Sequence, residues 1–289
     1  MCEYNFMNKK YKRVFSINLQ PGYRNYTVKD LQDIKGKKKL TQIMVSNNLE
    51  ASAAEEAGID LILAKPDENV PLIRKAAPKT FMTVAIPFIK YSSKEAIVKK
   101  ALELVEHGAD SIHCGSWNLN FMKYLNEFKI PFQGHAGLVP RKSTWIGGVR
   151  AFGKNVDEAT KLLKDIKEIE ETGAWGVEVE CVPEDILGVI TKATQLLTLS
   201  IGSGKKSDVQ FLFAEDILGC SSIDTPRHAK MYTNFNKLNE MIQKERIKAF
   251  KKFSSEVKNG EFPEKKHSIS VDKEELDQFK KLISDKKYN

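Results

Sequence analysis

Cysteine is scarce and scattered in this chain. Cys2, Cys114, Cys181 and Cys220 form no CxxC pair, so the spacing offers neither a disulfide framework nor a zinc ribbon. Reduced thiols fit a cytosolic setting. Long apolar runs are also missing, and none approaches the ~18 residues a membrane helix needs. The opening MCEYNFMNKKYKR is charged with no apolar stretch after it, so no secretory leader is expected and cytoplasm is the default. The formal net charge of +8 comes largely from Lys-rich segments near both ends. Those lysines are interleaved with Glu and Asp and lack an aromatic–glycine RNA motif, so nucleic acid is not an expected partner. A basic surface would still attract anionic substrates. What remains is an ordinary globular composition, 41% apolar and 29% charged, over 289 residues. That length suits one α/β barrel of roughly 250 residues with a large core.

Short β-rich runs alternate with longer amphipathic segments. Eight runs read as strands: Leu40–Ser46, Asp60–Ala64, Thr80–Ile86, Ser111–Cys114, Pro131–Gly134, Gly176–Cys181, Leu197–Ile201 and Val209–Phe213. Between them, Ser93–His107 and Val156–Thr172 carry apolar residues at helical spacing, each followed by a stop glycine, Gly108 or Gly173. EEAGID (55–60), EHGAD (106–110) and EETGAWG (170–176) repeat one theme of helix end, glycine cap and strand start. Eight alternations predict a (β/α)8 TIM barrel with a helical C-terminal extension. An open doubly wound sheet would put a Gly-rich phosphate turn after the first strand, and SNNLEAS (46–52) contains no glycine. The expected organisation is an N-terminal arm at 1–36, a barrel core at 37–225 and a tail from 226 to 289, helical over His228–Val257.

In a barrel, chemistry collects at the C-terminal ends of the strands. Those ends carry Asn47, Asp67, His113, Cys114, His135, Glu180 and Ser203. A Glu at the end of a buried strand can be desolvated and tuned as a general base; Glu180 is that residue, unless it merely caps the helix that begins near Pro183. His135 is a substrate-binding candidate among nearby glycines, with an inter-strand hydrogen bond as the alternative. Ser203, between Gly202 and Gly204, could present backbone N–H groups to an anion or form a plain turn. RKSTWIGGVRAFGKN (141–155) reads as a loop over the site, with Arg141 or Arg150 able to pair a carboxylate. Trp117, Trp145 and Trp175 are as easily core residues as stacking platforms.

Six stretches in one order carry a resemblance. AEEAGIDLIL (54–63), IPFIKY (86–91), GHAGLVPR (134–141), VECVPEDI (179–186), SIGSG (200–204) and GEFPEKKHS (260–268) resemble the ketopantoate hydroxymethyltransferase family. The resemblance spans roughly residues 37 to 268. It implies a (β/α)8 barrel related to phosphoenolpyruvate mutase and isocitrate lyase, and a homo-oligomer. It also implies transfer of a hydroxymethyl group from 5,10-methylenetetrahydrofolate to the small 2-oxo acid 3-methyl-2-oxobutanoate, on the route to pantothenate. In the family a divalent metal, usually magnesium, polarises the ketone. Glu180 would take the role of base. His135 would bind substrate oxygens, with His113 and Asn47 beside it.

The chain departs from the family where that metal should sit. Pro66 stands in the place of one ligand Asp, with Asp67 one position later, and Ala85 stands in the place of the other. The family's Lys–Ile–Glu run at the fourth strand is replaced by His113, Cys114 and Gly115. A magnesium site needs oxygen donors, so the usual one is expected to be absent. Three readings follow. Aldol-type chemistry on a 2-oxo acid persists, with Asp67 or Glu68 as a shifted ligand. Alternatively, the chain is a family-derived lyase or hydrolase with a rebuilt, magnesium-independent site; His113, Cys114, His135 and Glu180 are a softer donor set of the kind zinc accepts, a metal-free polar pocket is the alternative, and only one of the consecutive His113 and Cys114 faces inward. The third reading is a non-catalytic binding or assembly protein.

Overall fold

A computed structural model describes residues 11–16, 19–86, 90–115, 118–221 and 226–285. Its centre is a closed barrel of eight parallel strands with helices outside. The strands, after an N-terminal hairpin of β1 (Lys12–Phe15) and β2 (Pro21–Arg24), are β3 (Leu40–Val45), β4 (Leu61–Ala64), β5 (Phe81–Ala85), β6 (Ser111–His113), β7 (Phe132–Gly137), β8 (Gly176–Glu180), β9 (Leu197–Ile201) and β10 (Val209–Phe213). Each pairs with its sequence neighbour, and β10 closes onto β3. All eight expected strands are present. The helix-end theme holds too: helices end at Glu56, Glu106 and Glu171, and Gly58, Gly108 and Gly173 then take positive φ of 78°, 105° and 90°. Side chains with a Cβ are disfavoured there.

Two expectations shift. The fifth barrel strand runs three residues past Gly134, because its ladder with β8 continues through His135↔Glu178, Ala136↔Val179 and Gly137↔Glu180. The tail helix starts at Phe235 rather than His228. The N–H groups of Tyr232 and Thr233 are both taken by the carbonyl of Ile217, and Asn234 then caps the helix by accepting from Lys237 N–H. Residues up to Thr233 form one compact unit and Asn234–Asn289 a second. The second unit contains the helices Phe235–Lys258 and Lys273–Asp285. In it the Phe262 ring packs against Phe253 and His267. No helix among the described residues is long and apolar enough to cross a membrane.

The barrel has two cores. Outward strand residues such as Ile62, Val84, Ile112, Cys114, Val177 and Val179 pack beneath the helices. Inside, Leu40, Leu61, Phe81, Trp175, Leu197, Leu199 and Val209 fill the end where the strands begin. Before residue 37, the helix Val28–Ile34 packs on that inner layer, with Leu31 fully buried. Trp175 belongs to this layer, edge-on to Phe81 and donating Nε1–H to Ser111 Oγ at 2.7 Å, which makes it a core residue. Arg24 and Arg74 converge on Asp110 at 2.7 and 2.8 Å. Burial lowers the Arg74 pKa to about 10 although Asp110 opposes the shift.

Candidate active site

At the other end the interior divides into an apolar and a polar wall. Leu63, Ile201 and Phe211 form an apolar cluster with Met44 and Phe213. Thr83, His113, Gln133, His135, Glu178 and Glu180 come from the neighbouring strands β5 to β8. Strand side chains alternate between faces, so residues two apart share one. Gln133 and His135 therefore face inward from β7, and Glu178 and Glu180 from β8. Ala85 lies beside His113 across β5 and β6, and His113 beside Gln133 across β6 and β7. His113 points in and Cys114 points out, fully buried in the outer core, where burial pushes its thiol pKa well up.

The polar wall is tightly drawn together. His135 Nε2 is 3.1 Å from Glu180 Oε2 and 3.8 Å from Glu178 Oε1. His113 Nε2 is 3.1 Å from Glu178 Oε2. The two imidazole rings lie 5.6 Å apart, tilted by 54°. Burial disfavours the charged form of His135, but Glu178 and Glu180 together outweigh it and raise its pKa. Burial acts the opposite way on Glu178, and there His135 and His113 prevail and hold the carboxyl below its ordinary range. Glu178 was not singled out in the sequence. The signal was available, since GVEVE puts two acids on one face of a buried strand.

The turn after Glu180 is held by several groups at once. Cys181 has φ of 52°, left-handed for a residue with a side chain, a strain of about 1–2 kcal/mol. Cys181 N–H donates to Ile201 O, Phe152 N–H donates to Cys181 O, and Leu138 N–H donates to Glu180 O. Val182 N–H donates to Ser203 Oγ at 2.8 Å, and the Ser203 hydroxyl donates to Val179 O at 2.9 Å. Ser203 is 1% exposed, and its side chain ties the Glu180 turn to the end of β9. Gly137 sits against this turn with φ of 83°; a Cβ there would lie 2.4 Å from Glu180 O. Gly134 makes a different close approach, on the outer face, against Ile169.

A pocket of about 280 Å³ opens onto the two histidines. Pro66, Ala85, Ile86, Gly115, Val139, Pro140 and Arg141 complete its lining. Arg141, at the start of the long loop, thus reaches the site. Arg150 turns away to Glu158 at 2.6 Å and to Ile146 O, and Trp145 is exposed. Asn47 caps the helix Asn48–Glu56: its Oδ1 accepts Glu50 N–H and its amide donates to Glu50 Oε1. Asp67 Oδ1 accepts Asn69 N–H in the loop after β4. Trp117, Pro87 and Phe88 lie outside the described residues.

A sequence model of the family described as ketopantoate hydroxymethyltransferase matches residues 68–265. The chain belongs to this family. Among its curated relatives is the 3-methyl-2-oxobutanoate hydroxymethyltransferase of Kosmotoga olearia, 34% identical over 259 residues, covering 82% of this chain and 94% of the relative. The enzyme of that name from Pyrococcus furiosus is 31% identical over 284 residues, covering 90% and 98%. Among solved structures, a candidate phosphonomutase from Burkholderia cenocepacia superposes with a TM-score of 0.53 at 10% identity, over 66% of this chain and 93% of that one. That likeness concerns the fold alone. In this family member, Pro66 and Ala85 line the pocket where the resemblance implies carboxylate ligands, and neither side chain has an oxygen to offer. The residues present do not fit a magnesium site of that kind.

Proposed function

We propose that this chain deprotonates a small 2-oxo acid next to its ketone and joins the resulting enolate to a one-carbon unit. This is the hydroxymethyl transfer to 3-methyl-2-oxobutanoate named in its relatives; with 5,10-methylenetetrahydrofolate as one-carbon donor, the new C–C bond forms to its methylene carbon, water supplies the hydroxyl and tetrahydrofolate leaves. The observation that carries the reading is Glu180, held on a braced turn at the end of β8 with His135 Nε2 at 3.1 Å. Glu180 takes the proton from the carbon beside the ketone. His135, whose pKa is raised by Glu178 and Glu180, keeps a donor at hand for substrate oxygen as negative charge develops on it. Arg141, on the pocket wall, is suited to the substrate carboxylate. No step is assigned to magnesium. A second reading, a lyase or hydrolase working through the same enolate, is favoured by Pro66 and Ala85, which line the pocket without an oxygen ligand where the resemblance implies carboxylates.

The test isolates proton removal from folate. The protein is incubated with 3-methyl-2-oxobutanoate in D₂O, with and without magnesium, and loss of the C3 proton is followed by NMR. Wild type should exchange it, and Glu180→Gln should slow exchange by about 10²–10⁴-fold. Unchanged exchange in that variant would remove Glu180 as base. Absence of exchange in wild type under both conditions would remove this acceptor, and other 2-oxo acids would then be screened.

A further inference from the structure

We infer that His113, His135 and Glu178 form a binding site for a divalent first-row transition metal, of which zinc is the reference case. One ligand atom from each, a ring nitrogen of either histidine and a carboxylate oxygen, lies within 4.8 Å of the other two. They come from three consecutive strands, β6, β7 and β8, and so stand on rigid backbone rather than on loops. Zinc bonds imidazole nitrogen and carboxylate oxygen at about 2.0–2.2 Å, which separates neighbouring ligands in a tetrahedron by about 3.4 Å. His113 Nε2 lies 3.1 Å from Glu178 Oε2 and His135 Nε2 3.8 Å from Glu178 Oε1, so each histidine stands near that separation from one of the two carboxylate oxygens.

Direction adds a second, independent observation. His113 Nε2 and Glu178 Oε2 are 3.1 Å apart, yet each is a buried atom without a hydrogen-bond partner. Glu178 is only 6% exposed. Two buried polar atoms at bonding distance but off bonding direction are costly as a pair. They are suitably arranged if both lone pairs converge on a third centre. The electrostatics agree, because Glu178 and Glu180 put two carboxylates on one inward face of β8 and a dication among the ligands offsets both. The pocket beyond the two histidines leaves an open side from which water or a substrate oxygen can complete the coordination. The donor set selects the metal class, since two imidazoles suit zinc, cobalt(II) or iron(II), whereas magnesium takes oxygen ligands. Cys114, the soft donor expected from the sequence, takes no part because it faces the outer core.

Metal ligation replaces the donor role of His135, because its Nε2, which lies 3.1 Å from Glu180 Oε2, cannot both donate a proton and ligate a metal; the test uses no substrate, so its outcome is separate from that of the exchange assay. Protein stripped with chelator is titrated with cobalt(II), read by visible absorption, and with zinc, read by metal analysis after dialysis. One equivalent per chain is expected, with no displacement by excess magnesium. His113→Ala and Glu178→Gln should each weaken binding by about tenfold or more, and Glu180→Gln should retain the metal. Less than stoichiometric uptake by wild type would overturn the proposal, as would unchanged affinity in folded His113→Ala and Glu178→Gln. Should those variants fail to fold, zinc X-ray absorption on wild type decides: scattering from two imidazoles is expected, and a shell without them refutes the site.

Discussion

Ser203→Ala separates two roles that one residue could have. From the sequence, Ser203 is a substrate-binding candidate in a glycine-flanked turn. In the fold its hydroxyl accepts Val182 N–H at 2.8 Å and donates to Val179 O at 2.9 Å, on either side of Glu180. Alanine would leave the buried Val182 N–H without its acceptor, a cost of about 1–3 kcal/mol, and would remove a second hydrogen bond of about 0.5–1.5 kcal/mol. The expected loss is therefore ~1.5–4.5 kcal/mol. At about 2–4 °C per kcal/mol for a domain of this size, the melting temperature should fall by roughly 3–18 °C. Urea denaturation gives the free energy, and the C3 proton exchange assay gives KM and kcat. A positioning residue should lower kcat, through a looser Glu180, more than it raises KM. Full stability with a raised KM would refute the bracing argument and return Ser203 to direct contact with substrate.

Two further outcomes follow from the same structure. Gly137→Ala forces a Cβ to within 2.4 Å of Glu180 O at a positive φ, so exchange activity should drop sharply with a stability loss of at least ~1 kcal/mol, whereas wild-type behaviour would show that the turn can yield. Asp208 is 3% exposed; burial alone would raise its pKa, but Thr198 N–H, Lys35 and Gly36 N–H prevail and lower it. Its contribution is then complete above the unfolded value near ~4 and lost as pH falls through the lower folded value. Asp208→Asn should cost about 1.5–3 kcal/mol at pH 7 and flatten the acid limb of the stability curve, and an unchanged limb would count against it.

Much of this was readable along the chain because the relevant patterns are local. Strand length, helix periodicity and stop glycines depend on neighbours a few residues away, and they located all eight barrel strands. Family membership was legible from GHAGLVPR, VECVPEDI and SIGSG. Where a strand must be continued by its partner, local signals failed: the expected strand ends at Gly134, yet the ladder with β8 carries β7 on to Gly137. The tail helix was placed too early for a similar reason, since Ile217, far back in the sequence, takes the N–H groups of Tyr232 and Thr233.

The sequence by itself determined that this chain is a barrel of this family, with Glu180 and His135 at strand ends and no carboxylate at positions 66 and 85. Only the tertiary structure decided which donors meet. The pleat chose His113 over Cys114 for the interior. Barrel register set Glu178, two residues before the expected base, beside His135 and against His113. It also turned Ser203 and Asn47 toward backbone and capping partners. Inward direction and cross-strand neighbour are properties of closed pairing between distant segments, and no short stretch of sequence carries them.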